Sequence, residues 1–111
     1  MSLDISTSLI NGPTKLDGTV TLDGALVCSN KWDIHDGQVA CRELGYPTVV
    51  YVKEAEKSDS DVPGYTEFSC TGEESSLYDC VHLQTNATCR HKLAAVECSP
   101  AERGTQHCTI V

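Results

Sequence analysis

Seven cysteines in 111 residues are the groups here whose type and number could do chemistry. A thiolate can hold a metal, attack an electrophile, exchange with a disulfide or pair for good. Spacing separates these uses. No Cys-x-x-Cys occurs, and Cys89-Arg-His91 is too tight for paired zinc ligands, so neither a zinc cluster nor a thioredoxin-like redox centre is expected. His35, His82 and His107 show no partner pattern, and His91 reads as structural. The acidic pairs Glu73-Glu74 and Asp59/Asp61 have the composition of an acid/base pair, but they lie in polar, loop-like stretches where solvation keeps carboxylates ordinary. There is no Gly-x-Ser-x-Gly elbow, phosphate-binding glycine loop or His-Glu-x-x-His. The chain reads as a non-enzyme without metal or cofactor. Pairing is what remains for the thiols.

That chemistry needs an oxidising compartment, which places the chain outside the cell, secreted or in an ectodomain. It also suits a weak core: 40% of residues are hydrophobic but only 5% aromatic, with one Trp and one Phe. Each disulfide contributes ~2–4 kcal/mol to a small domain, so three rival its net stability and reduction should unfold it. The length fits one domain. A net charge of -8, from eight Lys and Arg against sixteen Asp and Glu, excludes a nucleic-acid footprint and disfavours polyanions and anionic membranes. No run approaches the ~20 apolar residues of a spanning helix, so direct membrane insertion is not expected. The start lacks a signal peptide, which reads as a piece of a longer protein.

The elements that must position the cysteines are legible in part. Asp23-Gly24 within Thr19–Cys28 offers a two-residue hairpin turn, with Leu22 facing Ala25, Val20 facing Val27, and Thr19 and Thr21 on the opposite face. Trp32 to Gly45 reads as the one helix, capped by Asp33 and stopped by Gly45, with Val39, Ala40 and Leu44 on one face and Cys41 at its edge. Thr48 to Val52, Tyr65 to Cys70 and Ala94 to Cys98 read as strands, Lys53 to Gly64 as a loop and Glu74 to Asp79 as a helical turn. From Ser99 the pattern dissolves into a polar tail. Cys28, Cys41, Cys70, Cys80, Cys89 and Cys98 lie inside the patterned region and Cys108 outside it. Spacing alone leaves all pairings of the six open.

The segments Cys28–Gly45 and Cys70–Cys80, with Cys89-Arg-His91 followed by Ala95-Val-Glu-Cys98, resemble the scavenger receptor cysteine-rich (SRCR) domain over residues 5–99, leaving 100–111 as a tail or linker. The resemblance implies an α+β fold, a curved antiparallel sheet cradling one helix, stapled by Cys28–Cys89, Cys41–Cys98 and Cys70–Cys80. Leu16 and Tyr46 stand where an eight-cysteine form has two more, so the six-cysteine group is the match. The family's divalent-cation site uses an Asp-Asp pair after the first of these cysteines and a Glu before the last. Here Ser29 and Asn30 replace the pair, and Leu93 stands near the missing acid in a stretch one residue short. The cation site is therefore not carried over; Glu67, Glu73 and Asp36 read as a solvated acidic face.

The resulting expectation is a protein-recognition module of a larger secreted or membrane-anchored protein, its partner basic or neutral rather than polyanionic. The competing expectation is a non-catalytic domain of a secreted enzyme, such as a trypsin-like serine protease or lysyl oxidase relative. Candidate contacts are Ser29 and Asn30, and in the loop Lys53, Glu54, Asp59 and Asp61. Asn86-Ala-Thr88 is a glycosylation sequon. Trp32 reads as core. Cys108 reads as a covalent link to a further module or chain, in preference to a prenylation box.

Overall fold

The computed structural model describes residues 6–57, 63–84 and 92–100. Asp23 and Gly24 both take positive φ, 55° and 84°, the torsions a two-residue hairpin turn demands, and they join β2 (Asp17–Leu22) to β3 (Ala25–Asn30). Their ladder runs through Leu22–Ala25 and Thr21–Leu26 and then parts. β7 (Leu93–Ser99) enters the gap, pairing Ala95 with Thr19 on one side and Leu93 with Cys28 on the other. Val20 and Val27 thus share the core, both fully buried, without the direct pairing expected of them.

β1 (Thr7–Ile10) was not foreseen. It runs antiparallel along β2, and the Thr21 hydroxyl meets Ser8 Oγ at 2.9 Å, so Thr19 and Thr21 are buried on the face opposite the valines. β4 (Thr48–Ala55) pairs with the far side of β7, with a bulge between Val49 and Tyr51. It takes in Lys53, Glu54 and Ala55, which were expected in a loop. Seven main-chain pairings to β7, a strand remote in sequence, outweigh their polar composition. β5 (Pro63–Ser69) lies beside β3, and β6 (Val81–Gln84), also unforeseen, closes that end of a seven-stranded sheet. The α+β class is as expected, but the sheet is mixed, because β3 and β5 run parallel.

The helix α1 (Ile34–Glu43), the one α-helix among the described residues, begins where Asp33 accepts the main-chain N–H of His35 and Asp36 while Asp36 accepts that of Asp33, a reciprocal box. It ends where Gly45, at φ +97°, lets the N–H of Gly45 reach Arg42 O and that of Tyr46 reach Cys41 O. Gly37 lies against the sheet: a Cβ there would stand 2.6 Å from Val52 Cγ1, so the glycine sets how closely helix and sheet approach. Beneath them Val20, Leu22, Val27, Val39, Phe68, Leu77 and Val96 form the core, each large apolar side chain worth ~1.5–3 kcal/mol by its burial. Trp32 packs against it, donating its indole N–H to Ala95 O at 3.1 Å. Cys41 is bonded to Cys98, joining α1 to β7, and Cys70 to Cys80 around a 3-10 turn at Leu77–Asp79. Cys28 is disulfide-bonded; its expected partner Cys89 lies outside the described residues.

Candidate recognition surfaces

The residues singled out by sequence fall at two places. Ser29 and Asn30 end β3. Ser29 is buried, its main-chain N–H held by Lys92 O at 2.7 Å. Asn30 lies opposite Glu67 of β5, and its Oδ1 is buried without a hydrogen-bond partner among the described residues. A buried acceptor left unsatisfied costs ~1–3 kcal/mol. Lys31, at positive φ, swings its ammonium to 3.9 Å from Glu67 and remains mostly in solvent. Leu93 is buried against Cys28, with Leu26 and Ala55 alongside. Where the family places acidic ligands, this chain presents a hydroxyl, an amide and an isobutyl group, with Glu67 as the neighbouring carboxylate.

The second place is the face of β7 turned away from α1. Cross-strand register aligns Asp17, Glu97 and Tyr51 in one row and Thr19, Ala95 and Lys53 in the next. Lys53 reaches diagonally to Asp17 in an ion pair and lies 5.5 Å from the Tyr51 ring centroid. The bond to Asp17 and the charges around it raise the Lys53 pKa above the ordinary lysine range; the hydrogen bond to Glu97 and that carboxylate's charge raise Tyr51's. Both shifts have the sign of a negative local potential. Lys53 and the exposed Glu54 line a cavity of about 230 Å³ together with residues of β2, the turn at Asn11–Pro13 and Ala95 of β7. Asp17, Tyr51 and Glu97 were not singled out by sequence. The alternation of Tyr51 and Lys53 was the available signal, had the strand been carried past Val52.

These two places are not one site, and the remaining candidates do not join them. Asp59, Asp61, Asn86, Cys89 and Cys108 lie outside the described residues. Asp36 is fully buried and occupied by main-chain N–H groups, including that of Cys70 at 2.8 Å. Among the described residues one group of metal-ligating types gathers within 4.8 Å, namely Cys70, Glu74 and Cys80. Its two sulfurs are bonded to each other. Its carboxylate accepts the N–H groups of Thr71 and Gly72, which hold Glu74 below the usual carboxylate range. That group closes a loop and has no lone thiolate to offer a metal.

Residues 10–99 match the family model described as the scavenger receptor cysteine-rich domain. The chain is 40% identical over 85 residues to galectin-3-binding protein of Bos taurus, covering 70% of this chain and 15% of that protein. It is 36% identical over 86 residues to lysyl oxidase homolog 2 of Bos taurus, covering 72% and 11%. The chain thus spans less than a fifth of the length of these relatives. Among solved structures, the third SRCR domain of murine neurotrypsin superposes with a TM-score of 0.66 at 27% identity, covering 89% of this chain and all of that one. The dimeric form of the SRCR domain of mouse MARCO superposes with 0.59 at 28%, covering 86% and 84%.

Proposed function

The chain belongs to the scavenger receptor cysteine-rich family, and we propose that it is an extracellular, non-catalytic protein-recognition module whose partner is basic or neutral. The observation that carries this reading is the carboxylate of Glu67, opposite Asn30 in the register and held only at 3.9 Å by the exposed Lys31, which favours a positive group on the partner. The negative potential over Asp17, Tyr51 and Glu97, the chain's net charge of -8 and the cavity beside Lys53 and Glu54 point the same way. Ser29, Asn30, Lys53, Glu54, Asp59 and Asp61 are the contacts of this reading. Cys28–Cys89 completes the disulfide frame of a domain spanning residues 5–99, Asn86 carries a glycan, and Cys108 links the domain to a further module or chain.

The test sets immobilised lysozyme, a basic protein, against heparin, a polyanion. The chain is expected to be retained on the first in a salt-dependent manner and to pass the second. Asn30→Lys and Glu54→Lys each put a positive charge on one surface and should weaken retention by about threefold or more. Retention on heparin, or indifference to both substitutions, would sink the reading.

A second reading, a domain accessory to a secreted enzyme, is favoured by the match to lysyl oxidase homolog 2, of which the aligned region is 11%. The full-length gene separates the two. A catalytic domain in the same polypeptide supports the accessory role, and repeats of this module or a membrane anchor support the receptor role.

A further inference from the structure

Three strands of this sheet, β1, β4 and β6, pair on one side only among the described residues, and β4 and β6 are treated differently. β4 is interrupted by its bulge and carries Lys53 and Glu54, devices that discourage another strand from pairing. β6, with the sequence Val81-His-Leu-Gln84, has neither: it holds no Lys, Arg, Asp or Glu, pairs with β5 alone, and no strand lies on its other side among the described residues. Its apolar side chains are also the most exposed of the large hydrophobics among the described residues, Val81 at 74% and Leu83 at 54%.

Each face of this edge exposes apolar or aromatic surface. Val81 and Leu83 stand opposite Ser69 and Glu67 on the outer face. His82, opposite the buried Phe68, turns to the other face, where Tyr78 lies over it at 4.8 Å and remains 41% exposed. A helix laid on the outer face would leave Tyr78 and His82 uncovered, whereas a strand added at the edge lies against both faces at once. Charge selects among strands. Glu67 adjoins Leu83 and is only loosely held by Lys31, at 3.9 Å, and Asp79 is exposed just before the strand. A second copy would bring another -8 to a contact four residues long. A segment with a Lys or Arg next to its apolar residues would satisfy Glu67 instead.

We propose that β6 is a docking edge for an extended segment of a partner protein, alternating apolar side chains and flanked by basic ones. This rests on the reading of the domain as a protein-recognition module; its surface is separate from Glu54 and meets that of Asn30 at Glu67.

The experiment titrates the full chain with a short peptide alternating valine and threonine with a lysine at each end, and with the same peptide ended by glutamates, following main-chain amide resonances. The lysine-ended peptide should shift the amides of Val81, His82 and Leu83 saturably. The glutamate-ended one should bind several-fold more weakly, with the gap closing in high salt. Leu83→Lys should weaken binding about tenfold, and Val81→Lys, at a more exposed position, should do the same should the first variant disturb folding. The proposal is overturned if β6 amides do not move, if both peptides bind alike, or if the chain alone forms a dimer that Leu83→Lys dissolves. Failure here while Asn30→Lys still weakens lysozyme retention would remove β6 and leave the recognition module standing.

Discussion

Charged side chains on α1 and charged side chains on the open face of β7 are spent in opposite ways. On the helix each carboxylate or guanidinium binds distant main chain. Asp36 takes the N–H of Cys70, Glu43 takes those of Thr7 and Leu77, and Arg42 donates to the carbonyls of Gly72 and Glu74. On the open face the charges bind other side chains: Lys53 pairs with Asp17, and Glu97 accepts from the Tyr51 phenol. A charge that satisfies buried main chain cannot be exchanged for a ligand without loosening the fold. A charge paired with another at the surface can change partners at small cost. The helix side is frame, and the open face is available.

The largest effects should therefore come from cutting what ties the helix to the sheet. Cys41–Cys98 closes a span of 57 residues and Cys70–Cys80 one of 10. By chain entropy the first is worth about 4 kcal/mol and the second about 3. Replacing both cysteines of each pair with alanine should lower the urea midpoint in that order. The reverse order would mean that the loop holding the main chain bound by Asp36 and Arg42 matters more than the staple under β7.

Asp36→Ala comes next, leaving the N–H groups of Asp33 and Cys70 without their acceptor, a loss of ~3 kcal/mol in denaturant unfolding. Its pH dependence sharpens the point. Burial pushes the Asp36 carboxyl up from 3.8 to about 6, against the pull of the main-chain N–H groups of Cys70 and Asp33. Because the fold binds this proton more tightly than the unfolded chain does, the proton-linked part of the contribution of Asp36 grows as pH falls through 6 toward 4 and is lost above 6, while its hydrogen bonds to main chain remain. Asp36→Asn keeps an acceptor and cannot titrate. Between pH 7 and pH 5 the stability of the natural chain should therefore gain about 1 kcal/mol relative to this variant. A constant difference would show that the carboxylate stays ionised in the fold.

How much of this could be read from sequence follows the same division between local and distant partners. The hairpin turn at Asp23-Gly24 and both ends of α1 are set by side chains and torsions within a few residues, and they stand as expected. Sequence marked Asp33 as a cap but showed nothing of the reach of Asp36 to Cys70, 34 residues on. Lys53 to Ala55 read as loop because their strand exists only through β7. β1 and β6, four residues each, are too short to show a period, and the parallel pairing of β3 with β5 has no local signature. Of the candidate surfaces, Ser29, Asn30, Lys53 and Glu54 were marked by type, while Asp17, Tyr51 and Glu97 needed the register to bring them together.

The smallest effect expected is at Lys53. Its side chain is 31% exposed and that of Asp17 17%, so their pair still reaches solvent, and Lys53→Ala should change stability by less than ~1 kcal/mol. The same substitution should still be visible in the titration of Tyr51. The Lys53 ammonium opposes the upward push of Glu97, so its loss should raise the phenol's midpoint further, whereas Glu97→Gln should return it toward the ordinary tyrosine range. Absorbance at the phenolate band distinguishes the two directions. A small stability change with a clear tyrosine shift means that the open face carries a field without carrying the fold, as a surface for a basic partner requires. A loss as large as that of Asp36→Ala would place Lys53 in the frame and end the contrast between the two sides of β7.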